Sequence, residues 1–140
     1  MIILDTNIVS EPMKPAANNN VLQWLDKQLA ETLFLTTTSL AELLVGIEIL
    51  PDGKRKIGLD GALKQLVSRL FASRILSFDQ AAAEHYAPLI SRARSAGYSI
   101  AVADGQIAAI AATHGFVVAT RDTAPFVAAG IATINPWHEG

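Results

Sequence analysis

The chain has 140 residues, a net charge of −2, 51% hydrophobic and 6% aromatic residues, and no cysteine. That length suits one domain with a real core, and a core of aliphatic residues and alanine favours close helix–sheet packing. The composition excludes disulfides, thiolate metal sites and a uniformly basic nucleic-acid-binding surface, leaving room only for a local basic patch.

No run of about 18 apolar residues is present to span a bilayer. The N-terminus opens on a strand pattern, without the regions of a signal peptide, so a cytoplasmic location is expected. Ile2-Ile3-Leu4 reads as a short strand buried on both faces. It ends at Asp5-Thr6-Asn7, an acid, a hydroxyl and an amide that suit a turn into a helix. Residues 8–13 hold one or two helical turns, broken by Pro12 and Pro15 and then by Asn18-Asn19-Asn20. Helical spacing resumes over 21–29, with Val21, Leu22, Leu25 and Leu29 on one face. Leu33–Thr36 is a second strand, and Leu40, Leu43, Leu44 and Ile47 form the apolar stripe of the next helix. Pro51-Asp52-Gly53 ends that helix, the basic run Lys54-Arg55-Lys56 follows, and 59–71 is again amphipathic.

Residues 75–78 suggest a third strand, and Asp79 caps a helix to about Ser95. Gly97 terminates it and 98–102 reads as a loop. An alanine-rich helix over 103–113 stops at His114-Gly115. Strands over 116–120 and 131–134 complete the chain, the last closed by Asn135-Pro136. This alternation predicts an α/β fold in three layers, α/β/α, with a parallel sheet, in a single domain over 1–140.

The acids divide by position. Asp26, Glu31, Glu48, Asp52, Asp60 and Glu84 fall on polar helix faces or in turns and read as solvated. Asp5 and Asp122 instead follow strands directly, Glu42 lies one turn into the helix after the second strand, and Asp104 opens the alanine-rich helix. In a parallel sheet, strand ends and the helix starts after them share one edge, so these four carboxylates are expected in one crevice. Each has a plainer reading. Asp5, Asp104 and Asp122 suit N-caps, and Ser39-Leu40-Ala41-Glu42 matches a capping box in which Glu42 reaches back to the Ser39 N–H. Caps do not explain why all four fall on one edge, whereas a site does. Carboxylates crowded together repel, and a divalent cation relieves that repulsion. Oxygen ligands without Cys or His favour Mg2+ or Mn2+ over Zn2+ and suit metal-assisted hydrolysis of a phosphodiester.

Asp5-Thr6-Asn7, Glu42 within Ser-Leu-Ala-Glu-Leu-Leu-Val-Gly, Ala103-Asp104-Gly105-Gln106-Ile107-Ala108-Ala109, and Thr120-Arg121-Asp122 together resemble the four motifs of PIN-domain nucleases, most closely the VapC/FitB-type toxins. The similarity runs from Ile2 to Asn135-Pro136-Trp137. The resemblance implies five parallel strands in order 3-2-1-4-5 and an Mg2+- or Mn2+-dependent endoribonuclease. It further implies a homodimer silenced by a cognate antitoxin. Asp5, Glu42, Asp104 and Asp122 then become the acidic site residues, with Asp5 and Asp104 first as metal ligands. Thr6 or Asn7 orients Asp5, and Thr120 supports the last motif. Many relatives carry Asn at the position of Asp122 and an Asp three residues on, where this chain has Pro125.

Arg121 sits beside the site, as a phosphate contact or a surface ion pair. Lys54-Arg55-Lys56, Arg92 and Arg94 are candidate RNA-backbone contacts or solvated surface. His85 reads as a packed helix residue and His114 as a helix C-terminal one. A haloacid-dehalogenase-like phosphatase requires a second Asp where Asn7 stands, and a receiver domain requires an acidic pair after the first strand. No phosphate-binding glycine loop is present. The remaining alternatives are a catalytically silent PIN-like binding domain and a metal-dependent DNA nuclease.

Overall fold

The structure, a computed structural model, describes residues 1–138; positions 139–140 of the expected domain lie outside the described residues. Strands β1 (Ile2–Leu4), β2 (Leu33–Thr36), β3 (Ile75–Leu76), β4 (Val117–Ala119) and β5 (Thr133–Ile134) form one parallel sheet in the order β3-β2-β1-β4-β5. β1 takes the centre because its apolar residues tolerate burial from both faces. Ile2 stands opposite Leu33 and Val117, and Ile3 opposite Phe34 and Val118. The β1–β4 ladder continues one step further, with the Asp5 N–H donating to the Ala119 carbonyl at 2.9 Å. The sheet itself therefore fixes the backbone of Asp5.

The pleat divides the core into two layers. Ile3 and Val118 face α5 (Gln80–Ser95), α6 (Val102–His114) and α7 (Ala124–Ala128). Leu4, Leu33, Leu35 and Ala119 face the opposite layer. That layer is built from α1 (Thr6–Ser10), α2 (Asn19–Asp26), α3 (Thr37–Glu48) and α4 (Lys54–Gln65). Ile107, Ala108, Ala109, Ile110 and Ala111 are all buried in α6, whose alanines let it approach the sheet closely. Gly105 serves the same end against α5, since a Cβ there would lie 2.8 Å from the Tyr86 ring.

Several boundaries differ from the sequence expectation. Asn18 does not break a helix; its side chain caps α2, accepting from the N–H groups of Asn20 and Val21 at 2.9 and 3.3 Å. α2 ends at Asp26, so Leu29 lies beyond it and is exposed. In α3, Leu43 and Ile47 are buried but Leu44 faces outward. Lys54-Arg55-Lys56 forms the first turn of α4, which runs on into a π-helical turn over Leu66–Phe71. Val102 begins α6 where a loop was expected. His85 is exposed, its ring held by the Ala81 carbonyl and the Thr113 hydroxyl. Asp79 caps α5 at 3.0 Å from the Ala82 N–H, and Gly115 closes α6 with φ 69°, as the stop pair predicts. No helix among the described residues is long and apolar enough to cross a membrane.

Candidate active site

Asp5 is 6% exposed, at the end of the central strand. Its Oδ1 accepts from the Thr6 N–H and its Oδ2 from the Thr120 hydroxyl, both at 2.8 Å. The first contact is the N-cap of α1. The second belongs to a residue just beyond β4, whose hydroxyl also accepts from the Asp122 N–H at 3.1 Å. One carboxylate thus caps its own helix and joins two adjacent strand ends.

The other three acids are not caps. Thr36, not Ser39, caps α3, its hydroxyl accepting from the Ser39 N–H at 3.0 Å. Glu42 is consequently free of the capping box and accepts from the Thr6 hydroxyl at 2.7 Å, across to α1. Asp104 lies in the first turn of α6, where Ala101 holds the cap position without a side-chain bond. Asp122 precedes Thr123, which occupies the start of α7 and makes no side-chain cap.

Asp5 and Asp104 both feel the charges of Glu42 and Asp122. Burial first, then the charges of Asp5, Asp122 and Glu42, push the Asp104 carboxyl up to about 6. Asp5 is also raised, mainly by burial and further by Glu42 and Asp122, against the lowering effect of its bonds from Thr120 and Thr6. Among the described residues, no three acidic or imidazole side chains converge into a ready-made metal cage. The donor set is nonetheless all oxygen and over-supplied with negative charge. It fits a hard divalent ion held by a subset of carboxylates with water completing its shell.

The supporting residues divide their work. Thr6 gives its N–H to Asp5 and its hydroxyl to Glu42. The Asn7 carboxamide accepts from the Arg121 N–H at 3.4 Å, so it braces the β4 exit. The Arg121 guanidinium lies over the Trp137 ring at 5.1 Å and makes no ion pair within 4 Å among the described residues. Arg92 lies over Gly130 at the N-terminal edge of the sheet, away from the carboxylates.

Two features have no local sequence signal. Glu11 is 4% exposed and accepts from the Asn18 N–H and the Lys14 ammonium, both at 3.1 Å. Burial opposes its ionisation, but those two bonds and the nearby cations together hold its carboxyl below the usual range. The Thr38 hydroxyl donates to Gln106 Oε1 at 3.0 Å, tying the start of α3 to the start of α6. Each partner sits close in sequence to a site acid, Glu42 or Asp104. Thr38→Val is expected to cost about 1 kcal/mol in urea unfolding, with Thr38→Ser close to the parent.

A family profile described as PIN domain matches residues 2–131. The toxin FitB of Neisseria gonorrhoeae is 48% identical over 139 residues, covering 99% of this chain and 100% of that one. VapC ribonuclease Y4jK of Sinorhizobium fredii is 47% identical over 138 residues, covering 99% of each. Among solved structures, FitAcB from Neisseria gonorrhoeae is similar with a TM-score of 0.94 and 48% identity, covering 99% of both chains.

Proposed function

The chain belongs to the PIN domain family and is of its VapC/FitB type, and from that premise we propose that it is a metal-dependent endoribonuclease, the toxin of a toxin–antitoxin pair. The observation that carries the reading is the gathering of Asp5, Glu42, Asp104 and Asp122 on one sheet edge, where burial first and then the charges of the other three raise the Asp104 carboxyl to about 6. Asp5 and Asp104 are the leading ligands for Mg2+ or Mn2+, with Glu42 and Asp122 completing the acidic set. When bound, such an ion makes water a better nucleophile and offsets charge on the phosphate oxygens.

The chain's own contribution is positioning. Thr120 and the Thr6 N–H fix both oxygens of Asp5, and the Thr6 hydroxyl holds Glu42 in register with it. No Lys or His stands in the four motifs, so a carboxylate takes the proton from the attacking water. In-line attack of that water on phosphorus breaks the P–O3′ bond, leaving a 5′-phosphate on one fragment, and the departing 3′-oxygen takes up a proton to become the 3′-hydroxyl of the other.

The proposed setting is the cytoplasm, as a homodimer complexed with an antitoxin that places a basic side chain in the acidic crevice. Light scattering that finds only monomer at micromolar concentration removes the dimer. The function is tested by sequencing RNA ends after brief expression of the intact chain and of Asp5→Ala. New 5′-phosphate ends are expected only with the intact chain, and identical ends in both remove the assignment. With purified protein, chelation abolishes cleavage and Mg2+ or Mn2+ restores it; a DNA oligonucleotide in parallel reports the substrate class.

A further inference from the structure

A groove of about 300 Å3 opens directly off the carboxylates, between α1, the 3₁₀ turn over Glu11–Met13, α3 and α4. Thr6 and Glu42, hydrogen-bonded to each other at 2.7 Å, form the wall it shares with the acidic cluster. Its floor is apolar, built from Met13, Leu43, Ile47, Leu50 and Leu59. Its two cations are Lys14 and Arg55.

Three details indicate that this space is kept for a ligand. Gly46 lines it from the interior of α3, where glycine weakens a helix. A Cβ there would meet nothing within 4 Å, so the chain's own packing does not demand glycine. Arg55 sits in the first turn of α4, where the helix dipole disfavours a cation. It has no ion pair within 4 Å among the described residues, whereas its neighbour Lys56 is paired with Asp52 at 3.5 Å. Lys14 is held on the rim by buried Glu11 at 3.1 Å, with its side chain still 55% exposed.

We infer that this groove receives the nucleotide adjoining the scissile phosphate of a single-stranded RNA. The base rests on the apolar floor beside Gly46, and the next phosphate lies between Arg55 and Lys14. The inference rests on the nuclease reading and adds a substrate subsite to it. A polynucleotide cut at the carboxylates must continue past them, and the groove shares a wall with them. An aliphatic floor with a cationic rim suits a nucleotide, whose base leaves water for an apolar face and whose phosphate pairs with a cation. An apolar protein segment fits the floor, but it leaves Arg55 without matched charge, since of the two rim cations only Lys14 is already paired, with Glu11.

Gly46→Leu provides the test because it fills the groove while replacing a poor helix former with a good one. Its thermal unfolding temperature should equal or exceed the parent's. The probe is a short mixed-sequence RNA carrying 4-thiouridine and a fluorophore, with Ca2+ in place of the catalytic ion. Anisotropy is expected to show at least about fivefold weaker binding for Gly46→Leu. Arg55→Glu is expected to weaken binding and lower the salt slope by about 1. Photo-crosslinks in the parent should map to the floor or rim residues. Crosslinks elsewhere, no RNA binding by the parent, or parent-like affinity in both variants overturns the subsite. Loss of antitoxin neutralisation in these variants with RNA affinity intact also overturns it, in favour of a protein-docking groove. Failure of the nuclease reading looks different: the parent then cuts no RNA with Mg2+ or Mn2+.

Discussion

Asp104→Asn is expected to abolish metal-dependent cleavage while making the metal-free chain more stable. The two effects have one origin. Burial and then the charges of Asp5, Asp122 and Glu42 raise the Asp104 carboxyl from 3.8 to about 6. The folded chain therefore holds this proton more tightly than the unfolded chain does. Below about pH 4 the carboxyl is protonated in both states and costs nothing. As the pH rises through about 6, the native state must carry a charge it disfavours, and stability falls. At 1.36 kcal/mol per unit, the unscreened penalty is roughly 3 kcal/mol. The side chain is partly exposed, and solvent screening reduces the expected figure to about 1 kcal/mol.

Urea unfolding in chelator should therefore show Asp104→Asn ahead of the parent near pH 7.5 and level with it near pH 4. Comparing variant with parent cancels Glu11, which is not coupled to Asp104 and whose lowered carboxyl stabilises above its unfolded value and loses that contribution as pH falls. Added Mg2+ should reverse the order by stabilising the parent more. Cleavage should fall by at least about 100-fold, the upper end of what removing a partner outside the ligand set costs a metal site. Undiminished cleavage removes Asp104 from the site. A loss of metal-free stability removes the repulsion argument.

Asp5 was legible as a helix cap, which the structure shows, and as a candidate ligand, because both roles require a carboxylate at the end of the central strand. The capping-box reading of Glu42 failed for a physical reason. The Thr36 hydroxyl already satisfies the Ser39 N–H, and the partner Glu42 does take, Thr6, lies 36 residues away. No local window contains that competition. The start of α4 was illegible for a related reason. Three cations in a first turn oppose the helix dipole, and Gly53 offers no side-chain cap. Burial of Leu63, with Lys56 tied to Asp52 and to the Glu48 carbonyl, outweighs that local preference. The sheet order came from the motif resemblance, since apolar runs identify strands without ranking them. The groove beside Glu42 needs four separate elements to exist, so only the folded chain displays it.

Thr120→Val is expected to separate positioning from mere packing at the same site. Thr120 is fully buried, and its hydroxyl both donates to Asp5 Oδ2 at 2.8 Å and accepts from the Asp122 N–H at 3.1 Å. Valine preserves the shape and removes both bonds, leaving a carboxylate oxygen and a backbone N–H without these partners. Unsatisfied buried groups cost about 1–3 kcal/mol each, so destabilisation of roughly 2 kcal/mol is expected in urea unfolding. The Thr120 bond is also the larger of the two that hold the Asp5 carboxyl down against its burial, so its loss moves that group further upward. A carboxylate harder to ionise binds a cation more weakly at neutral pH. The Mg2+ concentration for half-maximal cleavage should rise roughly 10- to 100-fold, and Thr120→Ser should restore it. If the hydroxyl only filled space, the fold would weaken with the half-saturating concentration unchanged. A shift in that concentration, reversed by serine, identifies Thr120 as the residue that keeps Asp5 charged and aimed at the cation.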